Sequence, residues 1–138
     1  MRRSWTMAVQ GVLLIIVAII HLVMTPEIGL IVARNTSVKA FAFLWPPYAL
    51  DHVVVGILVI AIGVTTILCA DGVPNGDVRA RRIALANAAA ILCLPIAVVA
   101  AVPLSVLLSA PPFLVATVLL ALTGAWMFWP ILKPKKGT

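Results

Sequence analysis

The chain has 138 residues, 64% of them hydrophobic and 10% charged, with a formal net charge of +6. A water-soluble domain covers its core with polar surface, and this composition is too poor in polar residues to do so. The positive charges are dispersed between apolar runs, which excludes a compact phosphate-binding patch and with it a nucleic-acid partner.

Four runs, Trp5–Met24, Leu50–Ala70, Ile83–Leu108 and Phe113–Leu132, are nearly uncharged. Each has about 20 residues or more, enough to cross a hydrocarbon layer of about 30 Å at ~1.5 Å per residue. The predicted fold class is all-α: an integral membrane four-helix bundle forming a single transmembrane domain over residues 1–138.

The first run is almost purely aliphatic and follows Arg2 and Arg3. It is long for the apolar region of a secretory signal, and no small-x-small cleavage site follows His21, so it reads as a retained span. At its end stand Thr25, Pro26 and Glu27. A threonine N-cap, a proline at the first helical position and an acid in the first turn predict that a new helix starts there.

The stretch from Glu27 to Ala49 is too short for two crossings and too apolar for a free loop. It predicts a short interfacial helical segment between the first two spans, interrupted at Arg34-Asn35-Thr36-Ser37 and ended by Pro46-Pro47. The second span carries Gly56 and Gly63, seven residues apart and so on nearly one helix face, where a neighbouring helix can approach closely. The polar stretch Asp71–Asp77 predicts a turn, followed by Arg79, Arg81 and Arg82.

In the third span, Ala84/Ala88 and Ala86/Ala90 are small-xxx-small pairs suited to tight packing. Pro95 and Pro103 free the carbonyls of Ile91 and Val99, so kinks are expected there. Asn87 is expected to bond across to another helix. Ser109-Ala110-Pro111-Pro112 predicts a tight turn. The fourth span has Thr117, Thr123 and Gly124 as its small polar or flexible points, and Pro130 and Pro134 mark its end. Cys69 and Cys93 fall at different depths, which predicts small apolar packers and no disulfide.

Of the ten basic residues, Arg2, Arg3, Arg79, Arg81, Arg82, Lys133, Lys135 and Lys136 fall on one side of this topology and only Arg34 and Lys39 on the other. The positive-inside rule then places both termini in the cytoplasm, N-in and C-in, in a multi-pass protein of the cell's inner membrane. Trp5, Trp126 and Trp129 at the inner boundary, and Trp45 and Tyr48 at the outer one, suit the headgroup level.

Both histidines and two of the four carboxylates converge on one level. His21 lies roughly 6 Å below the outer end of the first span. Asp51 and His52 open the second span on the same side, and Glu27 stands just outside the first. Ionisable side chains at bilayer depth usually have a partner or a task. Three readings compete: His21 bonds to Asp51 or a loop carbonyl and locks the segment down; the imidazoles bond a lipid-soluble ligand such as a quinone, covered by Phe41, Phe43, Trp45 and Tyr48; or His21 and His52 ligate a metal or haem. The candidate site is therefore His21, Asp51, His52, Glu27, Trp45 and Tyr48, with Gly56, Gly63, Ala84 and Ala88 as helix-packing positions.

No phosphate loop, nucleophile elbow or Cys-x-x-Cys motif is present. Small four-span exporters need a carboxylate in mid-membrane, and none of the acids lies there.

The second span, Asp51-His52-Val53-Val54-Val55-Gly56 followed by Gly63, resembles that of DoxX-like proteins, small four-helix membrane proteins whose second span often opens with an acid followed by glycines. The first span, with His21 and Pro26, is loosely similar, and the likeness covers residues 11–70. His52 after the acid and the wider glycine spacing depart from that pattern. The resemblance implies a link to membrane redox systems, which include a subunit of a thiosulfate:quinone oxidoreductase. The resulting expectation is a non-catalytic accessory or structural subunit of a membrane complex, redox- or quinone-linked, whose partners are lipid, other membrane subunits or further copies of itself. The alternatives are a small redox protein holding haem or a metal through His21 and His52, and a small transporter.

Overall fold

The computed structural model describes residues 3–109 and 111–132. Arg2, Lys133, Lys135 and Lys136, half of the basic residues assigned to the inner side, lie outside them, as does Ala110 of the expected outer turn. Among the described residues the order is α1 (Trp5–Asn35), α2 (Val38–Gly72), α3 (Val78–Ala101), α4 (Leu104–Ser109) and α5 (Pro111–Leu132). Four of these helices are long and apolar enough to cross a membrane. The all-α class is observed; the boundaries differ from expectation in three places.

First, α1 does not stop at Met24. It continues through Thr25, Pro26 and Glu27 to Asn35. The Thr25 hydroxyl donates to the His21 carbonyl at 3.1 Å, a bond within the helix and not a cap at its start. Pro26 deprives only the Leu22 carbonyl of its amide donor. Ending the helix would leave about four carbonyls and four amides to satisfy, a far larger loss away from water.

Second, there is no separate interfacial element. The segment expected between spans is the last turns of α1 and the first turns of α2, and α2 contains both Pro46 and Pro47. The polar break is real but short. Asn35 Nδ2 donates to the Ile31 carbonyl at 2.7 Å and the Thr36 hydroxyl to the Val32 carbonyl at 2.8 Å, closing α1. The Ser37 hydroxyl accepts from the Ala40 amide at 3.3 Å and opens α2, as an N-cap serine does. The result is a helical hairpin.

Third, the run expected as Ile83–Leu108 is two helices. Asp77 caps α3, its Oδ1 accepting from the Arg79 and Ala80 amides at 2.8 and 3.3 Å, so Arg79, Arg81 and Arg82 lie in the first turns of a helix. Pro95 is accommodated within α3, but at Val102 the backbone is extended (φ −110°, ψ 124°). A residue before proline disfavours helical geometry, and Pro103 turns the expected kink into a break.

The described chain forms two compact units. Val12–Val64, the greater part of the α1–α2 hairpin, is one. The residues through Gly11, together with those from Thr65 onward, are the other. In the second unit the Ser4 amide bonds to the Ala70 carbonyl at 2.7 Å, and Arg3 pairs with Asp71 at 3.8 Å, so the N-terminus and the end of α2 share one level. The Asp71–Asp77 turn is closed by bonds from the Asn75 and Asp77 amides to the Gly72 carbonyl, at 3.1 and 3.0 Å. It passes through Gly76 at φ 82°, a left-handed conformation that glycine adopts without strain. Asn87 on α3 donates to the Thr65 and Thr66 hydroxyls of α2 at 2.9 and 3.0 Å, the expected inter-helix bond. α5 lies against α3 so closely at Gly124 that a Cβ there would sit 2.9 Å from the Leu92 backbone nitrogen.

Buried positions recur three or four residues apart, save for one interval of seven between Ala18 and Thr25: Met7, Gly11, Leu14, Ala18, Thr25 and Gly29 on α1, and Gly56, Val59, Gly63, Thr66 and Ala70 on α2. Ala84 and Ala88 of α3 are buried, whereas Ala86 and Ala90 face outward. Most buried side chains are thus small or hydroxyl-bearing, while Ile16, Ile20, Leu30, Leu58, Leu68 and Leu122 are exposed.

Candidate functional site

The site belongs to the hairpin unit. Phe41, Trp45, Tyr48 and His52 follow one another on α2 at intervals of four, three and four residues, the spacing of a single helix face. Their rings form a column. Phe41 stacks on Trp45 at 5.8 Å between centroids, Trp45 meets Tyr48 at 5.9 Å, and Tyr48 meets His52 at 4.5 Å. The column ends on α1, where the His21 imidazole stacks on His52 at 4.3 Å with planes only 4° apart.

Two glycines let the helices of the hairpin approach. A Cβ on Gly29 would fall 2.6 Å from the Trp45 indole, and one on Gly56 would fall 2.5 Å from Leu22 Cδ2. The close approach expected at Gly56 is present, and Gly29 is a second such position. Its signal in the sequence is a glycine in an apolar run, Ile28–Val32, beyond the expected end of the first span.

His21 Nε2 and His52 Nδ1 are buried and have no hydrogen-bond partner among the described residues. A buried nitrogen without a partner costs about 1–3 kcal/mol of desolvation, so two on facing rings make a local excess of bonding capacity. Each is a donor or an acceptor according to the tautomer.

The structure brings together four of the six expected site residues: His21, His52, Trp45 and Tyr48. Asp51 and Glu27 are exposed, and neither forms an ion pair among the described residues, where Arg3–Asp71 is the pair formed. Phe41 joins the column, whereas Phe43 is 80% exposed and points away from it.

The stack does not suit a shared metal. An imidazole binds a metal in its own ring plane, through the nitrogen lone pair. With the planes parallel and face to face, an ion in the plane of one ring lies well out of the plane of the other. Haem ligation by both rings requires the macrocycle between them, and rings in van der Waals contact leave no room. Among the described residues no group of three or more histidine, cysteine, aspartate or glutamate side chains is placed to hold a metal ion. Cys69 is buried, Cys93 is exposed, and both are free.

A polar link in the other unit escaped the sequence reading. Gln10 is 1% exposed, and its Nε2 donates to the Trp126 carbonyl at 3.0 Å. That carbonyl lies four residues before Pro130 and so has no helical amide to accept from. The signal was available: a lone glutamine in an aliphatic span, and a proline near the end of another.

Compared with protein-family models, curated proteins and solved structures, the chain matches none.

Proposed function

We propose that this chain is a multi-pass protein of the inner membrane, N-in and C-in, that binds a lipid-soluble ring ligand of quinone type at the His21–His52 stack and serves as a non-catalytic accessory subunit of a redox-linked membrane complex. Embedding in lipid is supported by the distribution of side chains: large aliphatics outward, small and hydroxyl residues between helices, as expected where lipid and not water surrounds the protein. Arg3, Arg79, Arg81 and Arg82 at one end support the orientation.

The observation that carries the ligand is the pair of sealed, unpartnered imidazole nitrogens at the end of an aromatic column. A quinone head offers carbonyl oxygens to an imidazole N–H and a flat ring to aromatic neighbours. The likeness of residues 11–70 to DoxX-like proteins supports the redox setting. The exposed outer faces of α1 and α2 leave surface for partner subunits or further copies. The haem or metal alternative is disfavoured by the parallel rings, and nothing specific favours a transporter.

The test is equilibrium binding of a short-chain quinone to the full chain in lipid nanodiscs. The proposal expects saturable binding that weakens about 5–10-fold in His52→Ala, the loss of one hydrogen bond. Non-saturable partitioning, equal in wild type and variant, contradicts it.

A further inference from the structure

A cavity of about 240 Å³ opens where α2 ends and α3 begins, lined by Thr65, Leu68 and Cys69 of α2, Ala80 and Ile83 of α3, and Asp77 and Arg79 at the start of α3. At ~30 Å³ per water, that is room for a lipid headgroup and not for a whole lipid. The wall is amphipathic along its length. Leu68 and Ile83, 72% and 46% exposed, form its apolar part. Asp77 and Arg79 supply one charge of each sign at the turn.

Both charges are available. Asp77 uses Oδ1 to cap the Arg79 and Ala80 amides, which leaves Oδ2 as a further acceptor. Arg79 is exposed and forms no ion pair among the described residues.

We propose that this cavity binds one phospholipid with an ethanolamine headgroup, in the leaflet nearest the N-terminus. The phosphate sits on the Arg79 guanidinium, which suits phosphate oxygens. The primary ammonium sits on Asp77 Oδ2, and the glycerol and first chain methylenes lie along Leu68 and Ile83. Choline is excluded from the same bonding because its quaternary nitrogen has no N–H to donate. A phosphatidylglycerol head can place its phosphate on Arg79 but has no cation for Asp77, so the carboxylate stays unpaired beside a negative charge. The site is independent of the histidine stack.

The experiment is native mass spectrometry of the full chain extracted from vesicles of equal phosphatidylethanolamine, phosphatidylcholine and phosphatidylglycerol. The expected result is retention of the ethanolamine lipid about 2–5-fold above the other two, the range of one exposed ion pair. Asp77→Asn preserves the helix cap, since asparagine caps as well as aspartate. In that variant the preference over phosphatidylglycerol disappears. Arg79→Gln reduces retention of all three, and Arg82→Gln, outside the cavity, leaves the pattern unchanged. Soluble glycerophosphoethanolamine does not displace the lipid, because it lacks the chains that lie on the apolar wall. Equal retention of the three lipids, a preference that survives Asp77→Asn in a variant of unchanged helicity, or full displacement by the soluble headgroup overturns the proposal.

Discussion

The Gln10 side-chain amide donates to the Trp126 carbonyl, the carbonyl that Pro130 leaves without a helical partner. Two departures from ordinary membrane-helix composition thereby answer one another across α1 and α5. The bond predicts a strong energetic coupling. Gln10→Leu is expected to destabilise the protein by about 1–3 kcal/mol, because it abandons a buried acceptor. In a Pro130→Ala background the residue at 130 supplies the missing amide, and the same substitution is expected to cost less than half as much. Unfolding of the four proteins of this double-mutant cycle in mixed detergent measures the coupling.

The glycines divide by what they face. At Gly124 an added Cβ meets the α3 backbone at Leu92, with the nitrogen at 2.9 Å and Cα at 3.0 Å; backbone cannot step aside. At Gly56 it meets the Leu22 side chain, which can rotate. Gly124→Ala is therefore expected to cost about 1–3 kcal/mol, and Gly56→Ala distinctly less. Thermal unfolding of both variants in the same detergent gives the order, and the reverse order contradicts the packing described.

Asn87 holds α3 to α2 through two hydroxyls. Asn87→Leu removes both bonds, leaves the Thr65 and Thr66 hydroxyls with fewer partners, and is expected to destabilise by about 1–3 kcal/mol. Asn87→Ala with Thr66→Val should be less harmful than the sum of the single changes, since the partners are then removed together.

The fold class and the number of long apolar helices were legible in the sequence because hydropathy reports them directly. So was Asn87, a polar side chain between small residues. The helix ends were less legible. Thr25-Pro26-Glu27 has the chemistry of a helix start, but a chain away from water loses more by stopping a helix than by carrying one proline. Pro46 and Pro47 misled for the same reason, whereas Pro103 does end a helix, at an extended Val102. At the candidate site the convergence of His21 and His52 was readable from their shared level. Their stacking was not: it depends on the rotation of two helices about their axes, which Gly29 and Gly56 allow and a nearly all-apolar surface does not encode.

Replacing one imidazole by a benzene ring separates stability from binding. His21→Phe retains an aromatic ring on His52 and removes the sealed nitrogen. The variant is expected to be as stable as wild type or more stable, by up to about 1–3 kcal/mol, while quinone affinity falls. Detergent unfolding and nanodisc binding on the same preparation report the two effects. A variant that is destabilised and still binds would place the role of His21 in the fold.

The most direct measurement uses the fact that the chain has only two histidines. With ¹⁵N-labelled histidine, the nitrogen spectrum of the full chain in nanodiscs contains four ring resonances. His21 Nε2 and His52 Nδ1 are predicted to show shifts of non-hydrogen-bonded nitrogens in the ligand-free protein, and at least one is predicted to move to a hydrogen-bonded value as a quinone is titrated in. Resonances that are hydrogen-bonded from the outset, or that stay fixed through saturating quinone, contradict the account.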